Sequence, residues 1–319
     1  MHSPVGTLLE RLIWRVALAV GLLAGLSMFG FGLLALLPSD YAEVILISRM
    51  AGEVPSPEAL AAFRAQQGFD DPMPVQYLRW LGATLTGDLG VSFTTGDPVA
   101  EEIGLRLAAT AQLVGVAFLM MLGLGVPIGI LAALHRGGPI DRIVTAIAVL
   151  GMSVPNFWQA LLFVLLFALV LGWAPSSGYG EWRHVVLPAA VIATASMGLT
   201  ARYVRASLVS AFAEPHLRTA LAKGRSRVGA LLVHALPTAL PGILTVLGLQ
   251  LARMFDGAIV VETIFAWPGL GRMLVEALLD RDFPVLQAAL LVVGAAYVTI
   301  NLAVDLAVAA IDPRMGEAV

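Results

Sequence analysis

The chain has 319 residues, of which 59% are hydrophobic and only 13% are charged, and its formal net charge is -3. Soluble proteins carry about a quarter charged residues, so this composition excludes a soluble cytosolic protein and predicts an integral membrane protein. The lack of cysteine excludes disulfides, thiolate metal sites and a cysteine nucleophile, and the small net charge does not indicate a nucleic-acid partner.

Six apolar stretches are long enough to predict membrane-spanning helices, each of which needs about 20 residues. They are residues 16–37, 107–134, 143–173, 185–201, 237–252 with a continuation to 261, and 283–304 with a continuation to 311. The first is predicted to be an uncleaved anchor, because its apolar run is longer than the core of a signal peptide.

The distribution of charge predicts the orientation of the spans. Most of the arginines and the single lysine, Lys223, fall on one side of the predicted spans, whereas most acids fall on the other. Because short cytoplasmic loops collect basic residues, both termini are predicted to be cytoplasmic.

The largest polar segment, residues 38–103, follows the first span on the outer side. Ser56 and Pro57 predict the start of a short helix that Gly68 ends. Residues 75–85 predict a second helix, whose face of Val75, Leu78, Leu81 and Leu85 is expected to pack on apolar surface. We interpret this segment as an extracytoplasmic helical cap; its many acids leave a docking surface for an external partner as the alternative.

The domain prediction therefore has three parts. Residues 1–37 form the cytoplasmic N-terminus and first span, residues 38–103 the cap, and residues 104–319 a five-helix core. This core contains a cytoplasmic loop at about 207–237. The predicted fold class is an all-helical integral membrane protein.

That cytoplasmic loop contains another predicted short helix. Glu214 and Pro215 open it, and Gly224 can close it in the left-handed conformation. A helix of about two turns is marginal alone in water, so it is expected to dock on another surface. Its basic residues leave attraction to anionic lipid as the alternative.

Motifs for chemistry are missing from the sequence. It contains no Gly-x-x-x-x-Gly-Lys-Ser/Thr, no His-Glu-x-x-His and no Gly-x-Ser-x-Gly elbow with a partnering histidine in a span. A P-loop ATPase, a membrane metalloprotease and a serine hydrolase are therefore not predicted, and neither a metal nor a cofactor is expected on this chain.

Four stretches carry a family resemblance. Residues 219–224, Thr-Ala-Leu-Ala-Lys-Gly, are followed by His234, Leu236 and Pro237 at the spacing of the cytoplasmic EAA loop of ABC importer permeases. Residues 74–78 with 87–90, residues 260–271, and residues 301–306 ending at 312–314 resemble the oligopeptide, dipeptide and nickel branch, first-permease type. Arg218 and Thr219 stand where the general motif has glutamate and alanine.

The resemblance implies a permease subunit in a bacterial-type inner membrane that forms half of a translocation pathway. Its implied partners are a homologous second permease, two P-loop ATPases that bind ATP and Mg²⁺, and an extracytoplasmic substrate-binding protein. The residues implied to couple to the ATPases are Glu214, Arg218, Thr219, Ala220, Lys223, Gly224, His234 and Pro237. The cargo stays open between peptides, nickel chelates and glutathione.

Polar residues inside the spans suggest a substrate path. Arg253 and Asp256 lie three residues apart, with Gln250 one turn earlier, so they either line the path or neutralise each other near its outer end. Asn301 and Asp305 share a helical face and are predicted to make interhelical hydrogen bonds. Asp256 and Asp305 also keep an ion-gradient-driven secondary transporter as the alternative function.

Two aromatic segments are candidate gates. Asn156, Phe157 and Trp158 follow Pro155 within the third span, which predicts a proline kink or a gate hinge. Phe265 and Trp267 belong to a turn that is predicted to lie at the outer membrane interface, as aromatic anchors or as a gate.

Overall fold

The computed structural model describes residues 4–35, 41–50 and 53–311, and all regular structure in these ranges is helical. This confirms the predicted all-helical fold class. The helices are α1 (Pro4–Ala35), α2 (Tyr41–Arg49), α3 (Pro57–Gln67), α4 (Met73–Leu85), α5 (Val99–Leu134), α6 (Pro139–Ser153), α7 (Asn156–Phe163), α8 (Trp182–Ala211), α9 (Pro215–Ala222), α10 (Arg227–Ala230), α11 (Leu236–Ile264), α12 (Leu270–Leu279) and α13 (Phe283–Ile311). Residues 312–314 of the family resemblance lie outside the described residues.

Within the described ranges, five helical stretches are long and apolar enough to cross a membrane: Ile13–Gly32, Val99–Leu134, Trp182–Ala211, Arg227–Ile264 and Phe283–Ala307. The fourth joins α10, a π-helical stretch (Leu231–Ala235) and α11 without interruption. Pro237 therefore does not separate a loop helix from a span. It lacks an amide donor, but it lies two residues after the wider π-helical stretch, and the helix continues through it.

The predicted third span is broken. α6 and the run from α7 through the π-helical stretch Val164–Val170 are long and apolar enough to span a membrane only together, and the chain bends by 101° at the break between them. Among the described residues the count of spans is thus five, or six if the bent pair is one span. The break is far sharper than a simple proline kink, because Val154 and Pro155 are extended and end α6.

The predicted ends of α3 are confirmed. The Ser56 hydroxyl accepts a hydrogen bond from the Ala59 amide at 3.2 Å, and Pro57 occupies the first turn. Gly68 ends the helix with a φ of +70°, a conformation that costs glycine little.

The predicted packing face of α4 is largely exposed within the described residues, so its packing on apolar surface stays a prediction. Leu78 and Leu85 are 64% and 79% exposed. The face that packs carries Tyr77 and Trp80, whose rings lie 5.5 Å and 5.6 Å from the ring of Phe31 in α1. Large aromatic rings bury more area than leucines, so they decide which side of the helix docks.

The described residues divide into two compact units, one within Met1–Ala108 and Arg272–Val298, the other within Ala109–Gly271 and Thr299–Val319. The three-part domain prediction stays a prediction, because it divides the chain by membrane side rather than by contacts. In the second unit α8 is deeply buried, and Gly198 lies so close to the Ala148 backbone of α6 that a side chain would not fit. Such close approach at small residues is typical of packed membrane helices.

Candidate functional site

Helix α9 begins and ends where the sequence predicts. Glu214 is its N-cap residue, Pro215 opens the first turn, and Gly224 follows the helix with a φ of +84°. Leu217 has no exposed surface and anchors the helix to its own unit, whereas Thr219 and Lys223 are exposed. The short helix therefore presents a polar face outward from a fixed apolar anchor.

A surface cavity of 510 Å³ lies beside α9. It is lined by His216, Thr219, Ala220, Lys223, Gly224, Arg225 and His234. Five of these are predicted coupling residues. One of the five, His234, reaches the cavity because the chain turns at Gly224 and re-enters a helix at Arg227. Glu214, Arg218 and Pro237 are exposed but do not line this cavity. The sequence prediction missed His216 and left Arg225 out of the coupling set.

The cavity carries positive charge. Lys223 and Arg225 are exposed at its rim, and no carboxylate is among its lining residues in the described part of the chain. Beside it, the Arg227 guanidinium lies 5.9 Å from the centre of the Phe212 ring, which fixes one more cation on this surface. The arrangement suits the binding of an acidic protein surface, and it assembles no nucleophile with a base.

A polar network at the break between α6 and α7 was not anticipated from the sequence. The buried Gln159 amide donates to the carbonyl oxygens of Gly151 at 2.7 Å and Val154 at 3.1 Å, and its own oxygen accepts from the Thr194 hydroxyl at 3.0 Å. These two carbonyl groups lie at the end of α6, where no helical amide is available to bind them. Gln159 supplies the missing hydrogen bonds, and its contact with Thr194 connects the break to α8. A glutamine four residues after the proline is the only sequence signal for this role.

The three polar residues of α11 that were proposed to line a substrate path have different surroundings. Gln250 is only 3% exposed and donates to the Ser196 carbonyl oxygen of α8 at 3.1 Å, so it serves helix packing within the chain. Arg253 and Asp256 are exposed, and the salt bridges among the described residues include none between them. Mutual neutralisation is therefore wrong for this structure, and the lining of a path by Arg253 and Asp256 stays a prediction.

The aromatic turn after α11 is buried. Phe265 and Trp267 are each 1% exposed, the Phe265 carbonyl accepts from the Gly178 amide at 3.0 Å, and the indole of Trp267 donates to the Ala109 carbonyl at 2.9 Å. The interpretation as interfacial anchors is wrong, because both rings lie inside the unit. A contribution of Phe265 to a gate stays a prediction.

The same turn encloses a carboxylate that the sequence prediction did not single out. Glu262 has no exposed surface and accepts from the Thr110 hydroxyl at 2.6 Å, while the Leu270 amide donates to the same hydroxyl oxygen at 2.8 Å. Its place in the family-like stretch 260–271 was visible from sequence, but its burial was not.

The remaining predicted residues lie as follows. Asn156 is half-buried next to Gly257 of α11, and Phe157 and Trp158 are exposed on α7. Asn301 and Asp305 are half-buried on α13, and their interhelical hydrogen bonds stay a prediction. Within the described residues, no three His, Asp or Glu side chains come together as a group that could hold a metal ion.

Comparison with known families gives two matches. The family described as the inner membrane component of binding-protein-dependent transport systems matches residues 125–317. The family of the N-terminal part of such membrane components matches residues 8–114. Between them the two matches leave out only residues 115–124 and the two ends of the chain.

Curated relatives match nearly the full length. A putative peptide transport system permease protein of Brucella abortus is 39% identical over 309 residues, which cover 94% of this chain and 97% of the relative. The dipeptide transport system permease protein DppB of Escherichia coli K12 is 34% identical, with coverage of 97% and 99%.

Solved structures share the fold. Inward-facing conformations of the MetNI methionine ABC transporter align with a TM-score of 0.59 at 19% identity, covering 66% of this chain and 96% of that chain. A second crystal form of the same transporter gives a TM-score of 0.56.

Proposed function

Since the chain belongs to the family of inner membrane components of binding-protein-dependent transport systems, we propose that it imports peptides and that α9 couples it to an ATPase. It is a multi-pass permease subunit of an ABC importer, not an enzyme, and such a system includes ATPase and binding-protein partners. A carrier driven by an ion gradient does not fit this family.

The cargo proposal has support from the relatives. Those with 34% and 39% identity are named for dipeptide and peptide transport, and they align over almost their whole length. We assign the same class of cargo, a short peptide, to this chain. Nickel chelates and glutathione are the alternative cargoes, and a direct uptake assay should compare each of them with a short peptide.

One observation carries the coupling proposal: the basic cavity beside α9 brings Ala220, Gly224 and His234 together on an exposed surface. A short helix that is anchored by Leu217 and has a polar outer face can transmit a rigid displacement to the spans on either side of it. The lining arginine and lysine would pair with acids of the ATPase.

The proposed assembly follows the same logic. This chain would pair with a homologous second permease, and each permease would engage one of two ATPases, which alone bind ATP and Mg²⁺. With α9 on the cytoplasmic side, both termini would be cytoplasmic. The chain itself is proposed to bind no cofactor.

Gly224→Asp tests the coupling. Gly224 has open space around its α-carbon and a φ of +84°, so an aspartate meets no clash and costs only backbone strain. It adds bulk and negative charge to the cavity that the ATPase would enter. We expect peptide uptake into cells to fall at least about tenfold, which corresponds to about 1.4 kcal/mol of lost interaction. The amount of chain in the membrane should not change.

Gly87→Asp is the matched control. Gly87 has a φ of +88° and open space, so aspartate meets the same backbone cost there, outside the cavity. Uptake by this variant should stay near wild type. Normal uptake by Gly224→Asp would refute the coupling role of α9. It would leave the assignment of the chain to the importer family unchanged, because that assignment rests on the comparisons.

A further inference from the structure

A second cavity, of 640 Å³, lies beside α6 and α8, away from the cavity at α9. It is lined by Asp141, Arg142, Thr145, Ala146, Val149, Leu150 and Arg205. Six of these residues belong to α6. Five of the six, from Arg142 to Leu150, stand at positions i, i+3, i+4, i+7 and i+8, which is the spacing of a single helical face. The cavity is thus a groove along α6, with charge at one end and aliphatic side chains over the rest.

The charge at the open end of the groove is positive. Asp141 is buried, and both of its carboxylate oxygens are engaged: Arg205 binds both, with Nη2 2.7 Å from Oδ2, and the Gly137 amide donates to Oδ2 at 2.9 Å. Asp141 and Arg205 therefore neutralise each other. Arg142 is exposed, and the salt bridges found among the described residues do not include it. It is the uncompensated cation of the groove.

The rest of the groove is apolar and faces outward from the chain. Val149 and Leu150 are exposed, while the opposite face of α6 carries buried Ala148 against Gly198 of α8. From Arg142 to Leu150 the helix rises about 12 Å, at 1.5 Å per residue. This is close to the depth of one leaflet, about half of a 30 Å hydrocarbon core.

We propose that this groove binds one anionic phospholipid, with its phosphate on Arg142 and an acyl chain along Ala146, Val149 and Leu150. A molecule that fits must have a negative head at the membrane surface and an apolar chain of leaflet length. An acidic lipid has both, and basic pockets between membrane helices are recognised sites for such headgroups. The site is separate from the coupling surface and does not depend on the proposed cargo.

Photolabelling tests the site in the full chain. The probe is phosphatidylglycerol with a diazirine near the middle of one acyl chain, carried in nanodiscs of phosphatidylcholine, and labelled residues are mapped by mass spectrometry. We expect saturable labelling within residues 139–153. Arg142→Gln should lower it about fivefold, the effect of one basic residue at a membrane surface, and Arg142→Lys should retain it.

Two further variants separate charge from shape. Leu150→Trp fills the groove while leaving Arg142 in place, and it should also reduce labelling. Arg202→Gln removes an exposed cation of α8 that does not line the groove, and labelling should not change.

Three results would overturn the proposal. The first is that α6 of the Arg142→Gln variant is labelled as strongly as α6 of the wild type. The second is that a phosphatidylcholine probe with the same diazirine labels α6 equally well. The third is that a benzophenone placed at position 150 crosslinks to another protein chain instead of lipid. The last would assign the groove to a protein interface.

Discussion

At the scale of single residues, the buried carboxylate of Glu262 explains the glycine at position 269. A methyl group built on Gly269 would overlap both carboxylate oxygens of Glu262. The carboxylate cannot swing away freely, because it has no exposed surface and is held by the Thr110 hydroxyl. Gly269 is therefore required for space and not for an unusual backbone conformation.

This predicts that Gly269→Ala destabilises the chain by about 1–3 kcal/mol, the usual range for overpacking a core. The measurement is the melting temperature of the purified chain in detergent. Gly104→Ala is the control, because Gly104 is helical with open space, and alanine there should be neutral or slightly stabilising. An undiminished melting temperature for Gly269→Ala would show that Glu262 can move aside. Glu262→Asp, one methylene shorter, should partly rescue Gly269→Ala.

At the scale of elements, the break between α6 and α7 is a built structure. A proline alone can end a helix, but it leaves carbonyl groups without partners, and in an apolar environment each costs free energy. Gln159 satisfies two of these carbonyls, and Thr194 of α8 holds the glutamine in place. The 101° bend is thus held by one side chain of α7, which binds carbonyl groups at the end of α6 and is itself bound by α8.

Gln159→Leu should loosen this bend, because leucine has a similar volume but cannot donate to either carbonyl. The measurement is the distance distribution between spin labels at Ile147 and Leu165, which are exposed on the two arms. We expect a broader distribution and a loss of about 1–3 kcal/mol in stability. Thr194→Val should broaden the distribution less, because the side-chain amide of Gln159 can still donate to both carbonyl groups. If both variants keep the wild-type distribution, proline and packing alone determine the bend.

At the scale of the whole molecule, the chain is one part of a larger assembly. Many apolar side chains of α1, α6 and α7 are exposed, and a membrane protein can leave such surface to lipid or to another subunit. The family and the relatives place the chain among transport systems with several components.

Purification of the tagged chain in mild detergent should therefore recover a homologous permease and P-loop ATPases, identified by mass spectrometry. Uptake should continue when the proton gradient is collapsed while ATP is maintained, because the proposed motor is the ATPase. A chain that purifies alone and supports gradient-driven uptake in liposomes would contradict the proposed assembly. Asp256 and Asp305 would then be the residues to replace.

Much of the architecture could be predicted because the signals are local. Ser56, Pro57 and Gly68 mark the ends of α3, and Pro215 and Gly224 mark those of α9, since capping and left-handed turns depend on a few adjacent residues. Five of the residues that line the cavity at α9 were predicted as coupling residues from the family resemblance, whereas the cavity itself was not predicted.

Other features could not be predicted, because they depend on what packs against a residue. Val75 and Leu78 read as a packing face, but within the described residues they are exposed, and Tyr77 and Trp80 pack on Phe31. Phe265 and Trp267 read as interfacial aromatics, but they are buried. An aromatic side chain is equally hydrophobic whether it faces lipid or the protein core, so its sequence context does not tell which of the two it contacts.

The sequence by itself determined that this protein is a helical membrane permease with a short helix between two spans, because hydrophobic length and local motifs are encoded within short windows. Only the tertiary structure decided which polar residues are buried and hydrogen-bonded inside the protein. Gln159, Gln250 and Glu262 are buried through contacts with residues 35 to 152 positions away, whereas Arg253 and Asp256 stay exposed on the same helix as two of them. Burial is a property of the neighbours that folding supplies, so it cannot be read from a residue's own segment.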